Sequence, residues 1–121
     1  MDTLEERRKH KRFQAQDNVL ALNALSFGQV INMSMGGLRI KYLLRRNDPF
    51  HKSFEISLLN NSADHYIDKL SCKVVNITDS GPICPPLNLF IREAGVMFLG
   101  LTPAQKDLLD HFLIYNSVPS A

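Results

Sequence analysis

"GLRIKY", Gly37 to Tyr42, alternates apolar and charged side chains without a break: Leu38, Ile40 and Tyr42 on one face, Arg39 and Lys41 on the other. A period of two marks an extended strand with one face against a core and the other in water. The same device recurs at "FEISL", where Phe54, Ile56 and Leu58 oppose Glu55 and Ser57 before the polar "NNSAD" (Asn60 to Asp64) ends the segment. Leu70, Cys72 and Val74 then alternate with Ser71 and Lys73. Upstream, "VLALNAL" (Val19 to Leu25) reads as a strand, and Gly28 sits in the turn that returns the chain through "QVIN" (Gln29 to Asn32). Proline lacks the ladder donor, so "GPICPP" (Gly81 to Pro86) is expected to be a loop. Leu87, Leu89 and Ile91, then Val96 and Phe98, read as a hairpin turning near "EAG" (Glu93 to Gly95).

One helix closes the chain, over about 103–115. Thr102 is a suitable N-cap, Pro103 takes the tolerated first position and Gln105 completes a capping box, after which Leu108, Leu109, Phe112 and Leu113 form an apolar face. Five to seven short strands with a terminal amphipathic helix predict an all-β fold: a small antiparallel barrel with the helix over an open mouth or edge.

With 121 residues the chain has the size of one domain. Its hydrophobic share of 45% and charged share of 21% are those of an ordinary globular protein. No apolar run approaches the ~20 residues that span a bilayer, and the N-terminus is charged where a signal peptide needs an apolar segment. A cytoplasmic protein without membrane insertion is expected. Cys72 and Cys84 form no CxxC pair and read as two reduced thiols. His10, His51, His65 and His111 are scattered without metal-ligand spacing, so neither a metal nor a cofactor is expected. No nucleophile elbow, recognisable acid pair or phosphate-cradling GxxxxGK[ST] loop is present, which argues against an enzyme.

The net charge of +2 is too small for a protein that coats nucleic acid, but "RRKHKRF" (Arg7 to Phe13) concentrates five of the fourteen Lys and Arg residues. Almost nothing in this segment can be buried, so residues 1–13 are expected to be a mobile arm and 14–121 a single domain. Alone, the cluster reads as a solvated tail. Arg8 and Arg12, however, stand four apart, sharing a helical face or separated by roughly 13 Å if extended. Either way two guanidinium forks can approach one ligand, gripping phosphate oxygens or the O6 and N7 edge of guanine. "NMSMGG" (Asn32 to Gly37) alone reads as a tight turn between strands. As a site it offers an amide at Asn32, a hydroxyl at Ser34 and, at Gly37, backbone that a ligand can approach without a Cβ in the way.

Together these stretches resemble the paired motif of the PilZ domain, the bacterial cyclic di-GMP receptor module: RxxxR near the N-terminus, then D/NxSxxG about twenty residues later. Here they read Arg8-Lys-His-Lys-Arg12 and Asn32-Met-Ser34-Met-Gly-Gly37, with Asn in place of Asp at position 32. "AGVMFLGLTPAQKDLLDHFLIY" (Ala94 to Tyr115) also looks like the family's closing strand and helix. The resemblance implies a six-stranded antiparallel barrel with cyclic di-GMP lying on its outer surface. Arg8 and Arg12, helped by Arg7, would hold phosphates and guanine edges; Asn32 would address a guanine's Watson-Crick edge; Ser34 and Gly37 would shape the turn that receives it. From the expected mobility of the arm follows a mechanism: its ordering on binding would be the signal passed to a downstream protein partner. The alternative within the same fold is an interaction adaptor that binds no nucleotide. A barrel for single-stranded DNA or RNA would need several exposed aromatics interleaved with basic residues, and the chain has no Trp, with most Phe and Tyr on faces the core requires.

Overall fold

The computed structural model describes residues 11–16, 19–23, 27–46, 48, 50–60 and 65–118. The alternating stretch at Gly37 lies in strand β4 (Gly37–Arg45), with Leu38 and Ile40 buried and Lys41 exposed. The other strands are β1 (Phe13–Gln14), β2 (Val19–Leu22), β3 (Phe27–Met33), β5 (Ser53–Asn60), β6 (Tyr66–Cys84) and β7 (Leu89–Phe98); helix α1 spans Pro103–Asn116. Every pairing is antiparallel. The neighbour order β3, β2, β5, β6, β7, β4 closes on itself through a β3–β4 ladder, so six strands form a ring and β1 adds to β3 outside it. Ring closure pairs the backbone edges that an open sheet would leave free. The six-stranded antiparallel barrel with a terminal helix expected from the sequence is the observed architecture.

Inside the ring, Val19, Val30, Met33, Leu58, Leu70 and Cys72 are fully buried. Each apolar side chain removed from water contributes roughly 1.5–3 kcal/mol before entropy is set against it. Burial pushes the Cys72 thiol up to about 12, which suppresses the reactive thiolate; both cysteines are free.

The cap of α1 forms as its sequence predicts. Thr102 Oγ1 accepts from Gln105 N at 3.1 Å, and Gln105 Oε1 accepts from Thr102 N at 3.0 Å. Its buried stripe is Leu109, Phe112, Leu113 and Asn116, spaced i, i+3, i+4, i+7. Leu108, assigned to the apolar face from sequence, lies at the edge of that stripe and is 51% exposed. Asn116 completes the stripe as a polar anchor. Its amide donates to Phe112 O at 3.0 Å and faces His65 Nδ1 at 3.4 Å, while its Oδ1 accepts from Asn60 Nδ2 at 3.2 Å. The His65 ring stacks on Tyr115, with centroids 5.3 Å apart.

Two expectations from sequence are corrected. The turn near Glu93–Gly95 does not exist: β7 runs unbroken through Ala94, Gly95 and Val96, all buried, and the chain reverses at a 3-10 turn, Pro85–Leu87, with Asn88 in the left-handed region. The shift from odd to even apolar positions comes from a change of environment. Ala94, Val96 and Phe98 face the core, whereas Leu89 to Glu93 continue past it and are only half-buried on both faces. Nor is Gly81–Pro86 wholly a loop, because β6 extends to Cys84. Pairing with β7 jumps from Ser80↔Ile91 to Cys84↔Leu89, so Pro82 sits in a bulge where no ladder donor is required. On this extension Arg92 grips Asp79 with two bonds, at 2.7 and 2.8 Å, which holds the Asp79 carboxyl below the usual carboxylate range.

β1 is fastened on both sides. Phe13 and Gln14 pair with Met33 and Asn32 of β3, while Gln16 N donates to Asn116 O at 2.9 Å and Val118 N to Gln14 O at 2.8 Å. Among the described residues, ladder pairing thus begins at Phe13. The rest of the expected arm, up to residue 10, lies outside the described residues.

The position of the helix stripe predicts a contrast between neighbouring leucines. Leu109→Ala should cost about 2–5 kcal/mol in urea unfolding, and Leu108→Ala within about 0.5 kcal/mol. Equal losses at both positions would contradict the observed rotation of α1.

Candidate functional site

Asn32 to Gly37 form the end of β3, a tight reversal and the first residue of β4. Ser34 closes that reversal from within. Its N–H donates to Gly37 O at 2.9 Å, its Oγ accepts from the N–H groups of Gly36 at 3.1 Å and Gly37 at 3.2 Å, and its hydroxyl faces Gly37 O at 3.3 Å. With a relative exposure of 9%, Ser34 is a turn-builder whose hydrogen-bonding capacity is already used. Gly36 O accepts from Phe98 N at 2.9 Å, tying the reversal to the end of β7. At Gly37 the requirement for glycine is steric: an added Cβ would run into the Val96 carbonyl oxygen and stand 3.1 Å from Met97 Cα. Its φ is not among the positive ones of the chain, so close approach of two backbones, rather than a left-handed turn, excludes a side chain.

The β1–β3 register brings the two motifs together. Gln14 pairs with Asn32, so Arg12, two residues earlier, emerges beside the Ser34 reversal. Arg12, Asn32, Ser34 and Gly37 line one depression of about 620 Å³. Arg7 and Arg8 lie outside the described residues.

Three further polar residues reach this depression that sequence reasoning did not assign to it: Arg39, Asn76 and Lys106. Arg39 is on the outward face of β4, and its Nη1 donates to Asn76 Oδ1 at 3.0 Å while Nε stands 3.5 Å from Glu93 Oε1. Asn76 can lie across β7 because residue 95 is glycine; a Cβ there would come within 2.9 Å of Asn76 Oδ1. The alternation at Gly37 to Tyr42 did signal that Arg39 faces outward. Nothing local in the sequence could have brought Asn76 or Lys106 to the same place, since strand pairing and helix docking do so. Among the described residues the lining holds Arg12, Arg39 and Lys106 and no carboxylate, so it favours an anion.

A larger cavity, about 850 Å³, opens toward the other end of β4 between Tyr42, Leu44, Phe54 and Arg92. It contains no motif residue, and its arginine is already paired with Asp79. Size alone would select it; charge and polar donors select the depression. Among the described residues no group of His, Cys, Asp or Glu could hold a metal ion, and no helix is long and apolar enough to cross a membrane.

The PilZ domain model matches residues 6–115. No curated protein matches the sequence. Among solved structures, the PilZ domain of Escherichia coli YcgR with c-di-GMP is similar at 15% identity, covering 91% of each chain with a TM-score of 0.67. MrkH from K. pneumonia, in complex with c-di-GMP, is similar at 11% identity and TM-score 0.64, with 88% of this chain covering 51% of that one. Borreliella burgdorferi PlzA in complex with c-di-GMP is similar at 14% identity and TM-score 0.55, with 97% of this chain covering 57% of that one. The chain thus spans about half the length of those two larger proteins.

The backbone contact at Gly37 generates a stability prediction. Gly37→Val should lower unfolding free energy by about 1–3 kcal/mol, since β7 must move to admit the side chain. Thermal or urea unfolding indistinguishable from the parent would show that the β4–β7 approach is looser than described.

Proposed function

The chain belongs to the PilZ domain family, and on that premise we propose that it is a bacterial cyclic di-GMP receptor. The observation that carries this function is the β1–β3 register: it delivers the last arginine of RxxxR to the NxSxxG reversal, in a cationic depression without carboxylates among the described residues. Cyclic di-GMP presents two phosphate charges and two guanines. A guanidinium clamp facing a polar reversal is complementary to both. That three solved structures of the same fold are described as holding c-di-GMP supports the ligand's identity.

In this proposal Arg8 and Arg12, aided by Arg7, hold phosphate oxygens and the O6 and N7 edge of guanine. Asn32 exchanges hydrogen bonds with a guanine's Watson-Crick edge, its neutral amide being a weaker acceptor for guanine N–H groups than a carboxylate would be. Ser34 and Gly37 act indirectly, by holding the reversal at the height where base and backbone meet. The protein works by binding in the cytoplasm and catalyses nothing. Residues before Phe13 contain almost no apolar side chains to offset a backbone ordering cost of ~1–2 kcal/mol per residue, so the ligand supplies what folds them onto the barrel. That ordered arm is the signal a protein partner reads.

Calorimetry with cyclic di-GMP tests the proposal directly. Arg8→Ala and Arg12→Ala should each weaken binding more than tenfold while changing stability by less than about 1 kcal/mol. Near-parental affinity in either variant would remove the clamp, and no heat from folded parent protein would favour the nucleotide-free adaptor. Hydrogen exchange over residues 4–12, ahead of the ladder that starts at Phe13, should slow on adding ligand; protection already present there without it would refute the ordering step even where binding is observed.

A further inference from the structure

We propose that Lys106 of α1 is a ligand-contacting residue that ties the bound dinucleotide to the helix, an inference that rests on the receptor function above. The depression runs from the arm at Arg12, across the Ser34 reversal and β7, to α1, and Lys106 is the residue of that helix that lines it. The three cations of the lining differ in their engagement. Arg39 is held by Asn76 and lies 3.5 Å from Glu93, whereas among the described residues neither Arg12 nor Lys106 has an ion-pair partner. The backbone N–H of Lys106 donates to Thr102 O at 2.9 Å, while its side chain is exposed and, among the described residues, makes no hydrogen bond or ion pair. An unpaired ammonium on a flexible stem, beside a site that already favours anions, can take a phosphate oxygen without breaking an existing bond.

Ligand shape strengthens the assignment. The two phosphates of a cyclic dinucleotide lie across a macrocycle, so a clamp confined to the arm meets one end and leaves the other to different groups. Arg12 and Lys106 approach the depression from different elements, one preceding β1 and one on α1. A ligand between them bridges arm and helix. Those elements are already joined by Gln16 N to Asn116 O and Val118 N to Gln14 O, at the C-terminal end of α1. Binding would add a second tie near the helix N-terminus, so the helix as well as the arm would report occupancy.

Calorimetry of the full chain with cyclic di-GMP, at low and high salt, tests this with Lys106→Gln, Lys106→Glu and Lys106→Arg, and with Lys52→Gln as an exposed lysine outside the depression. Affinity should fall about 3- to 10-fold for Lys106→Gln, more than tenfold for Lys106→Glu, and stay within threefold for Lys106→Arg and Lys52→Gln, with melting temperatures unchanged. The loss should shrink at high salt, as screening shortens from about 10 Å at 0.1 M to about 3 Å at 1 M. Amide exchange in the first turns of α1 should slow on binding in the parent and not in Lys106→Gln. Parental affinity in Lys106→Gln and Lys106→Glu, with Arg12→Ala still impaired, would overturn the contact and leave the receptor function standing. Equal losses in Lys52→Gln and Lys106→Gln would overturn it as a mere effect of net charge. No heat from folded parent protein would overturn both.

Discussion

The contact of the β3–β4 reversal with β7 is the constraint on which the rest of the structure depends. Gly37 lies so close to the Val96 carbonyl that no side chain fits, and Phe98 N is bonded to Gly36 O. Through these contacts β4 pairs with β7 over Gly37 to Arg45 and, on its other side, with β3, which closes the ring. The same contact sets the floor of the depression. A reversal lifted by even one methyl group would displace Asn32, Arg39 and the β7 backbone together, so barrel closure and site geometry are one steric requirement at one residue.

Much of this was legible in the sequence, for reasons that can be assigned residue by residue. Period-two alternation is a local property, so β4, β5 and the start of β6 could be read from Leu38 to Tyr42, Phe54 to Leu58 and Leu70 to Val74. Capping chemistry is local too, and Thr102 and Gln105 marked the helix start. What failed was any inference that took apolar residues as a direct record of burial. Leu89 and Ile91 were assigned to a separate short strand because their parity differs from that of Val96 and Phe98. They belong to a continuous strand that leaves the core, where apolar character no longer tells inside from outside. Leu108 failed in the same way, at the margin of a stripe completed by a polar residue, Asn116.

For the site, the division falls between sequence-local and fold-assembled residues. Asn32, Ser34 and Gly37 belong to one reversal and could be recognised together. Arg12 reaches them through pairing between segments about twenty residues apart, which the spacing of the motifs encodes but no single motif explains. Arg39, Asn76 and Lys106 come from β4, β6 and α1, and only the register of β6 on β7 and the docking of the helix make them neighbours. Asn76 further needs a glycine at position 95, on another strand, before it can reach Arg39. A pairwise steric allowance of that kind has no signature in either local sequence.

A closed ring with a well-filled interior transmits little by deforming, because packed cores resist partial rearrangement. In the proposed receptor, a message from the external site would therefore travel through elements attached to the ring rather than woven into it. Among the described elements two meet that description: β1 and the helix α1. They are linked to each other by backbone bonds at Gln14, Gln16, Asn116 and Val118, and beneath that link lie the buried Asn60 and Asn116 with the half-buried His65. Polar groups buried in this way favour a single arrangement, because each one left unpaired costs roughly 1–3 kcal/mol. The junction of β1 and helix is thus held fixed, whereas Arg12 and Lys106 lie outside it and line the cationic depression.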